Sequence, residues 1–350
     1  MSAITGVSSD GRPDLRQGDP LLEVDGLIMN YETKEGDVSA VQDVSFTLHK
    51  GEALGLVGES GCGKTSVALS LLRLLPDNAN YKAGEIRLNG TDLLALPEKE
   101  MRTHRWRDIA MVFQGAMNAW NPVYTVGEQI REAMETHFDH RVTDEEARVK
   151  ISELFEMVGL DPQMRTRYPH EFSGGMRQRA VIAMALSCDP QVIIADEPTT
   201  ALDVIVQDRI LQQLKDIQDN LGMSIIYISH DLAVIAEVTE RIGIMYAGKL
   251  VEIGPTEEVY AKSWHPYSQL LLSSTPSIRG PRRKFAPLEG EPPNLVDPPS
   301  GCRFHPRCPL ATDKCVEMEP PLEPTQGGDQ SACWHWERVP ELDETREASA

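Results

Sequence analysis

Gly58-Glu59-Ser60-Gly61-Cys62-Gly63-Lys64-Thr65 fills every defining position of the phosphate-loop pattern G-x-x-x-x-G-K-S/T. Three glycines in six residues let successive backbone N–H groups turn inward and form a concave nest for anionic oxygens. Lys64 supplies a point charge for the outer phosphates, and the Thr65 hydroxyl is a ligand for Mg²⁺. The apolar run Ala53-Leu54-Gly55-Leu56-Val57 predicts a buried strand before the loop. Ser66 to Leu75 predicts a helix after it, with its positive N-terminus aimed at the phosphates. The stretch therefore predicts a nucleoside-triphosphate site.

A second signal lies downstream. Gln191-Val192-Ile193-Ile194-Ala195-Asp196-Glu197 reads as an apolar strand that delivers two carboxylates to a sheet edge. An Asp in that place is the usual partner of a phosphate loop, holding Mg²⁺. Glu197, one residue on, is expected on the opposite face of the strand, where it could polarise an attacking water. Between the two signals, Phe172-Ser173-Gly174-Gly175-Met176-Arg177-Gln178-Arg179 precedes a helical pattern with Val181, Ile182, Ala185 and Leu186 on one face. Ser173 is the expected N-cap, and the glycines expose the first N–H groups of that helix. One triphosphate does not need two such cradles from one subunit, so this second one is expected to face a triphosphate held by another subunit.

Composition bounds the rest. The 350 residues, 41% of them hydrophobic, suffice for one large domain with an appendage or for two domains. No apolar run approaches the roughly 18 residues needed to span a membrane, so the chain is not expected to be a channel itself. Residues 1–20 read as a disordered tail without the features of a secretory signal, which makes the cytoplasm the expected compartment. A net charge of −20 argues against a nucleic-acid partner, because phosphate backbones demand clustered Lys and Arg. The acidity reads as surface solubility, with an acidic docking surface as the alternative.

Leu21 to about Asn89 mixes short strands with the phosphate loop, as an antiparallel β subdomain does. About Leu96 to Leu186 is rich in helical pattern, with Ile151, Leu154, Phe155 and Val158 on one face of a helix over Asp144–Val158. Strands and helices then alternate to about Ile253, which suggests a parallel sheet.

The phosphate loop, the Ser-Gly-Gly helix start, the Ile-Ile-Ala-Asp-Glu-Pro strand and Tyr227-Ile228-Ser229-His230-Asp231 occur in the order of an ABC-transporter ATPase. The chain resembles that family from about Leu21 to Gly254. The resemblance implies an α/β P-loop ATPase: a RecA-like core, an antiparallel β subdomain and a helical subdomain, within residues 21–264. It implies that Tyr31 stacks on adenine and that Gly58, Ser60, Gly61, Cys62, Gly63, Lys64, Thr65 and Ser66 surround ATP. Gln114 would reach Mg²⁺ and the attacking water, with Thr65 and Asp196 completing the metal's ligands. Ser173, Gly174, Gly175 and Met176 would close over the partner's ATP. Met176 departs from the family's usual Gln, so a hydrogen bond to nucleotide is not carried over to it. Asp203 resembles the interface aspartate, and His230 the histidine that contacts the γ-phosphate. Trp120, Pro122 and Tyr124 would lie near the groove that receives coupling helices, or form a packed loop.

Ser274 to Ser300 holds seven prolines (Pro276, Pro281, Pro287, Pro292, Pro293, Pro298 and Pro299) and reads as an extended strap. Arg282-Arg283-Lys284 within it reads as solvated. Cys302, Cys308, Cys315 and Cys333, four of the six cysteines, then fall within 32 residues. A cytosolic chain rarely keeps disulfides, so a metal site is expected. No C-x-x-C knuckle marks it as zinc. Four thiolates suit a 4Fe–4S cluster, with Zn²⁺ and free thiols as the alternatives and His305 and His335 nearby as substitutes or supports. Cys62 and Cys188 read as packing residues, the latter within the Ser-Gly-Gly helix. His265-Pro266-Tyr267 with Leu270-Leu271, and Cys302-Arg303-Phe304-His305-Pro306-Arg307-Cys308-Pro309, resemble the C-terminal extension of oligopeptide/dipeptide importer ATPases, here residues 265–350. That resemblance implies a second homologous ATPase, two membrane permeases and an extracytoplasmic binding protein as partners, at the cytoplasmic face of the membrane. Peptides are the commonest cargo of that branch, while oligosaccharides and nickel chelates use near-identical ATPases.

Overall fold

The computed structural model describes residues 19–200, 202–274, 288, 290–326, 328–340 and 342. The expected tail up to residue 18, and residues 275–287 and 289 of the expected Ser274–Ser300 strap, Arg282-Arg283-Lys284 among them, lie outside the described residues. The chain divides into two compact units. One contains the residues up to Leu94 and those from Ile228 onward, and the other runs from Ala95 to Tyr227.

Strands in the first stretch are β1 (Pro20–Thr33), β2 (Gly36–His49), β3 (Ala53–Val57), β4 (Ala79–Leu88) and β5 (Thr91–Asp92). β6 (Ile109–Val112), β7 (Val192–Asp196) and β8 (Ser224–Ser229) follow. The last four are β9 (Arg241–Tyr246), β10 (Lys249–Pro255), β11 (Glu323–Pro324) and β12 (Gln330–Ser331).

In the first unit, β2-β1-β4-β5 form the expected antiparallel sheet. Its strands alternate: Val44, Phe46 and Leu48 of β2 are buried while the residues between them are not. β3 is different, with all five residues buried, as a strand covered on both faces must be. It pairs in parallel with β9, and the order continues through β10 and β12 to β11. From β9 outward the pairing is antiparallel, so the sheet is mixed rather than parallel throughout. The cause is local. Ala247 and Gly248, at φ 50° and 85°, make a two-residue turn whose left-handed backbone matches strand twist and folds β10 straight back on β9. β11 and β12 come from the cysteine-bearing C-terminal stretch, so that stretch extends the sheet that contains β3.

The second unit holds the parallel pair β6–β7, with β8 next to β7. Its helices span Glu98–His104, Val126–His137, Asp144–Met157, Gly174–Ala185 and Val204–Leu221. Thr125 with Glu128 and Thr143 with Glu146 form capping boxes that satisfy the first N–H groups of two of them. On helix Asp144–Met157 and its C-cap, Ile151, Leu154, Phe155 and Val158 are buried, as their spacing requires. Trp120 is buried, whereas Val123 and Tyr124 stand exposed.

β10 is tied to the chain that follows it by Glu252, which is fully buried. Its carboxylate accepts the backbone N–H groups of Trp264 at 2.6 Å and His265 at 3.1 Å. Burial, reinforced by the charge of Asp329, nevertheless raises Glu252 to about 8, while burial lowers the neighbouring His265 to about 3. A carboxyl that holds its proton longer in the folded than in the unfolded chain contributes stability that is lost as pH rises through its folded value. Above about pH 6.5 the His265 contribution is complete, which isolates Glu252 up to about pH 8. Across that window the melting temperature of the wild type should fall relative to Glu252→Gln, measured by thermal unfolding. Parallel curves would remove Glu252 from this role.

Candidate active site

In the first unit the loop after β3 turns on its glycines. Gly58 has φ 153° and Gly63 φ 103°, and a Cβ on either would lie 2.2 Å from a backbone oxygen, of Met245 and Ala40 respectively. Neither position admits another residue without moving backbone. The helix begins at Lys64, inside the motif, and ends at Leu71 rather than spanning Ser66 to Leu75. Gly63 is its N-cap and offers no side chain, so no side-chain oxygen competes for the first N–H groups. Lys64 is buried, and its ammonium donates to the carbonyls of Gly58 at 2.8 Å and Glu59 at 3.0 Å. Cys62 is also buried, and burial raises its thiol pKa. Ser60, Gly61 and Thr65 are exposed, and Ser66 shares a hydrogen bond of 3.1 Å with the Tyr31 hydroxyl. Tyr31 lies on β1, paired with Val38 of β2. His230 is exposed just past β8, and Asp231 caps the next helix by accepting from Ala233 and Val234.

In the second unit β7 ends at Asp196, which is 1% exposed. Glu197 is not on the opposite face of that strand, as alternation predicts. It has left the strand with φ 44°, turned ahead of Pro198. There its Oε2 accepts the Gln114 amide at 2.7 Å and the Thr200 hydroxyl at 2.8 Å. Ser173 caps helix Gly174–Ala185, accepting from Met176 N–H at 3.3 Å. Cys188 follows that helix instead of lying within it. Gly175 packs so near Val206 that a Cβ there would be 2.8 Å from Cγ1. Val206 is in the first turn of the helix that Asp203 caps at 3.0 Å. Beside it, Val204 and Ile205 are 79% and 75% exposed.

Cys302, Cys308, Cys315 and Cys333 line one cavity in the first unit, together with His305 and His335. Burial and mutual repulsion raise Cys302 to about 11, and Cys308 and Cys333 to about 12. Among the described residues, however, no group of three or more His, Cys, Asp or Glu side chains forms a site for a metal ion. The expected metal centre is therefore met only as a convergence of thiols.

Two family models match the chain. One, ABC transporter, covers residues 41–200, and the other, Oligopeptide/dipeptide transporter, C-terminal region, covers 251–315. A probable peptide ABC transporter ATP-binding protein of Sinorhizobium fredii is 45% identical over 93% of this chain and 98% of its own. The chain belongs to the family of peptide ABC transporter ATP-binding proteins. The dipeptide transport ATP-binding protein DppD of Bacillus subtilis is 44% identical over 90% of this chain and 94% of its own. The ATP-binding cassette MJ0796, solved as a dimer after hydrolysis with ADP and phosphate bound, is 26% identical with a TM-score of 0.61. That likeness covers 67% of this chain and 98% of the cassette. The fold is that of an ABC ATPase cassette, and the chain is an ATPase of the transport class. No described helix is long and apolar enough to cross a membrane.

In this ABC ATPase, sequence reading missed Thr200 on Glu197, and also the contacts of Glu59 with Tyr267 and Arg307. Thr200 follows Glu197 by three residues, the reach of a local side-chain turn, and was discoverable. Gly63→Ala should cost about 1–3 kcal/mol or more of stability through strain alone and abolish ATP binding. Thermal unfolding with and without ATP checks both, and an unshifted melting temperature would contradict the geometry.

Proposed function

We propose that this chain hydrolyses ATP to drive import of peptides by a membrane complex. The observation that carries the hydrolytic part is the Glu197 carboxylate, fixed by Gln114 and Thr200 directly after the Asp196 strand. The family supports the cargo class, since relatives along nearly the whole chain are named for peptide and dipeptide transport.

In this reading the Gly58–Thr65 loop and Ser66 hold the phosphates, with Tyr31 against the adenine. Lys64 turns its ammonium from the loop carbonyls to the outer phosphates. Water attacks the γ-phosphorus in line, a bond from phosphorus to water oxygen forms, and the bond to the ADP oxygen breaks. Glu197 takes the proton from the water, Gln114 and His230 position it, and ADP leaves with the electron pair of the broken bond. Mg²⁺ would be held by Thr65, Gln114 and Asp196. This is an all-oxygen donor set with one buried carboxylate, which suits a hard cation, and the ion supplies positive charge to the phosphate oxygens.

The exposed Ser173 start of helix Gly174–Ala185 suits a second nucleotide in a head-to-tail dimer, with Gly174, Gly175 and Met176 behind it. Exposed Val204 and Ile205 beside Asp203 suit the same partner face. The partner is a homologous ATPase. Two permeases and an extracytoplasmic binding protein complete the importer, and the chain acts at the cytoplasmic face of the membrane. Residues 21–264 form the ATPase region with its helical part about 96–186, and 265–350 an importer-specific extension. Exposed Val123 and Tyr124 suit permease contact.

For the thiols of that extension we keep the 4Fe–4S cluster over Zn²⁺. A cluster holds its ligand sulfurs wider apart than a single ion does, and four cysteines converge on one cavity. Protein purified anaerobically should contain iron and acid-labile sulfide, and its Cys308→Ser variant should lose both. Stoichiometric zinc without sulfide would contradict the cluster.

Glu197→Gln should bind ATP with wild-type affinity and lose about 10²–10⁴ in kcat, measured as phosphate release. Turnover close to wild type in that variant would remove Glu197 from its role.

A further inference from the structure

Glu59 occupies the second position of the phosphate loop, where the pattern leaves the residue open. A carboxylate there sets a negative charge beside the place where three or four phosphate charges must bind. The structure neutralises it from the C-terminal stretch. Arg307 approaches in a two-pronged geometry, Nη1 at 2.8 Å from Oε2 and Nη2 at 3.2 Å from Oε1. The arginine side chain is 6% exposed and the glutamate 25%, so solvent screens the pair only in part. Nη1 also donates to the Tyr246 hydroxyl at 3.3 Å, and the guanidinium lies 5.7 Å from the centre of that ring.

The backbone of the same residue is held by the same stretch of chain. Glu59 N–H donates to the Tyr267 hydroxyl at 3.0 Å. Tyr267 packs in turn on Tyr246 and Phe304, with ring centres 4.6 and 5.4 Å away. Glu59 carbonyl then accepts Lys64 Nζ at 3.0 Å. Glu59 therefore meets Arg307 through its carboxylate and the loop lysine through its carbonyl. Arg303, four residues before Arg307, anchors the same segment by donating to the Ala247 carbonyl and to Ser39. Pro292, Pro293 and Leu295 line a cleft together with Glu59, Ser60 and Gly61 of the loop.

We propose that Arg307 is a positioning residue for nucleotide binding, which cancels the Glu59 charge and holds the phosphate loop in its receptive shape. This rests on the reading that the loop holds the triphosphate. It makes the C-terminal stretch a working part of the ATP site. The segment Cys302–Cys308, which carries Arg307, thereby connects the thiol cavity to the loop.

The test uses the full-length chain and MgATP, with affinity read by titration calorimetry and turnover by phosphate release. Arg307→Ala should raise the Kd and KM for ATP about tenfold, as loss of a charged hydrogen bond does, with kcat within about twofold of wild type. Adding Glu59→Gln to Arg307→Ala should restore Kd to within about twofold of wild type, because the unpaired charge is then gone. A merely structural arginine would show no such rescue. Arg307→Gln, alone and with Glu59→Gln, repeats the comparison if the alanine variant fails to fold. Unchanged affinity in the single variant, or a double variant as weak as the single one, would overturn the proposal. Lys64→Ala serves as the control. If it binds ATP normally, the loop itself is misassigned, whatever Arg307 does.

Discussion

The candidate phosphate loop of the first unit depends on a backbone that folds back tightly on itself. Gly58 and Gly63 make that possible because each packs a bare Cα against a carbonyl oxygen where no Cβ fits. The buried strand β3 fixes one end of the loop, and the helix starting at Lys64 fixes the other. Between them the Lys64 ammonium bridges two loop carbonyls, so the charge needed for the ligand is already inside the nest. The loop backbone is thus held in place beforehand, while the Lys64 ammonium would exchange these carbonyls for phosphate oxygens on binding.

A similar constraint acts on the candidate catalytic carboxylates of the second unit. A fully buried strand brings Asp196 to its end, and the chain then turns sharply enough at Glu197 to give that carboxylate two hydrogen-bond donors. A left-handed non-glycine residue costs free energy, and it is found here on the candidate base. The C-terminal stretch is equally integrated. It extends the sheet through β12, closes over Glu252 of β10 and reaches the phosphate loop through Arg307 and Tyr267.

The parts legible in the sequence were those whose signal is local. The phosphate loop, the apolar strand before Asp196 and the helix over Asp144–Met157 each declare themselves within about fifteen residues, through glycine spacing, hydrophobic runs or 3.6-residue periodicity. The Glu197 turn was not legible, since alternation is a rule for strands and the strand ends one residue earlier. The hairpin at Ala247-Gly248 was missed because alanine gives no hint of a left-handed turn, and a parallel sheet was inferred in its place. The contact of Arg307 with Glu59 joins residues 248 positions apart, and only the folded chain brings them together.

Coupling to a membrane is tested most directly by expressing the full chain with the proteins encoded beside it and purifying it from detergent-solubilised membranes. Recovery with two polytopic membrane proteins and a homologous ATPase, in a complex whose ATP turnover rises when peptide-loaded binding protein is added, is the predicted result. Recovery of the chain alone from the soluble fraction, active and indifferent to membrane proteins, would contradict it.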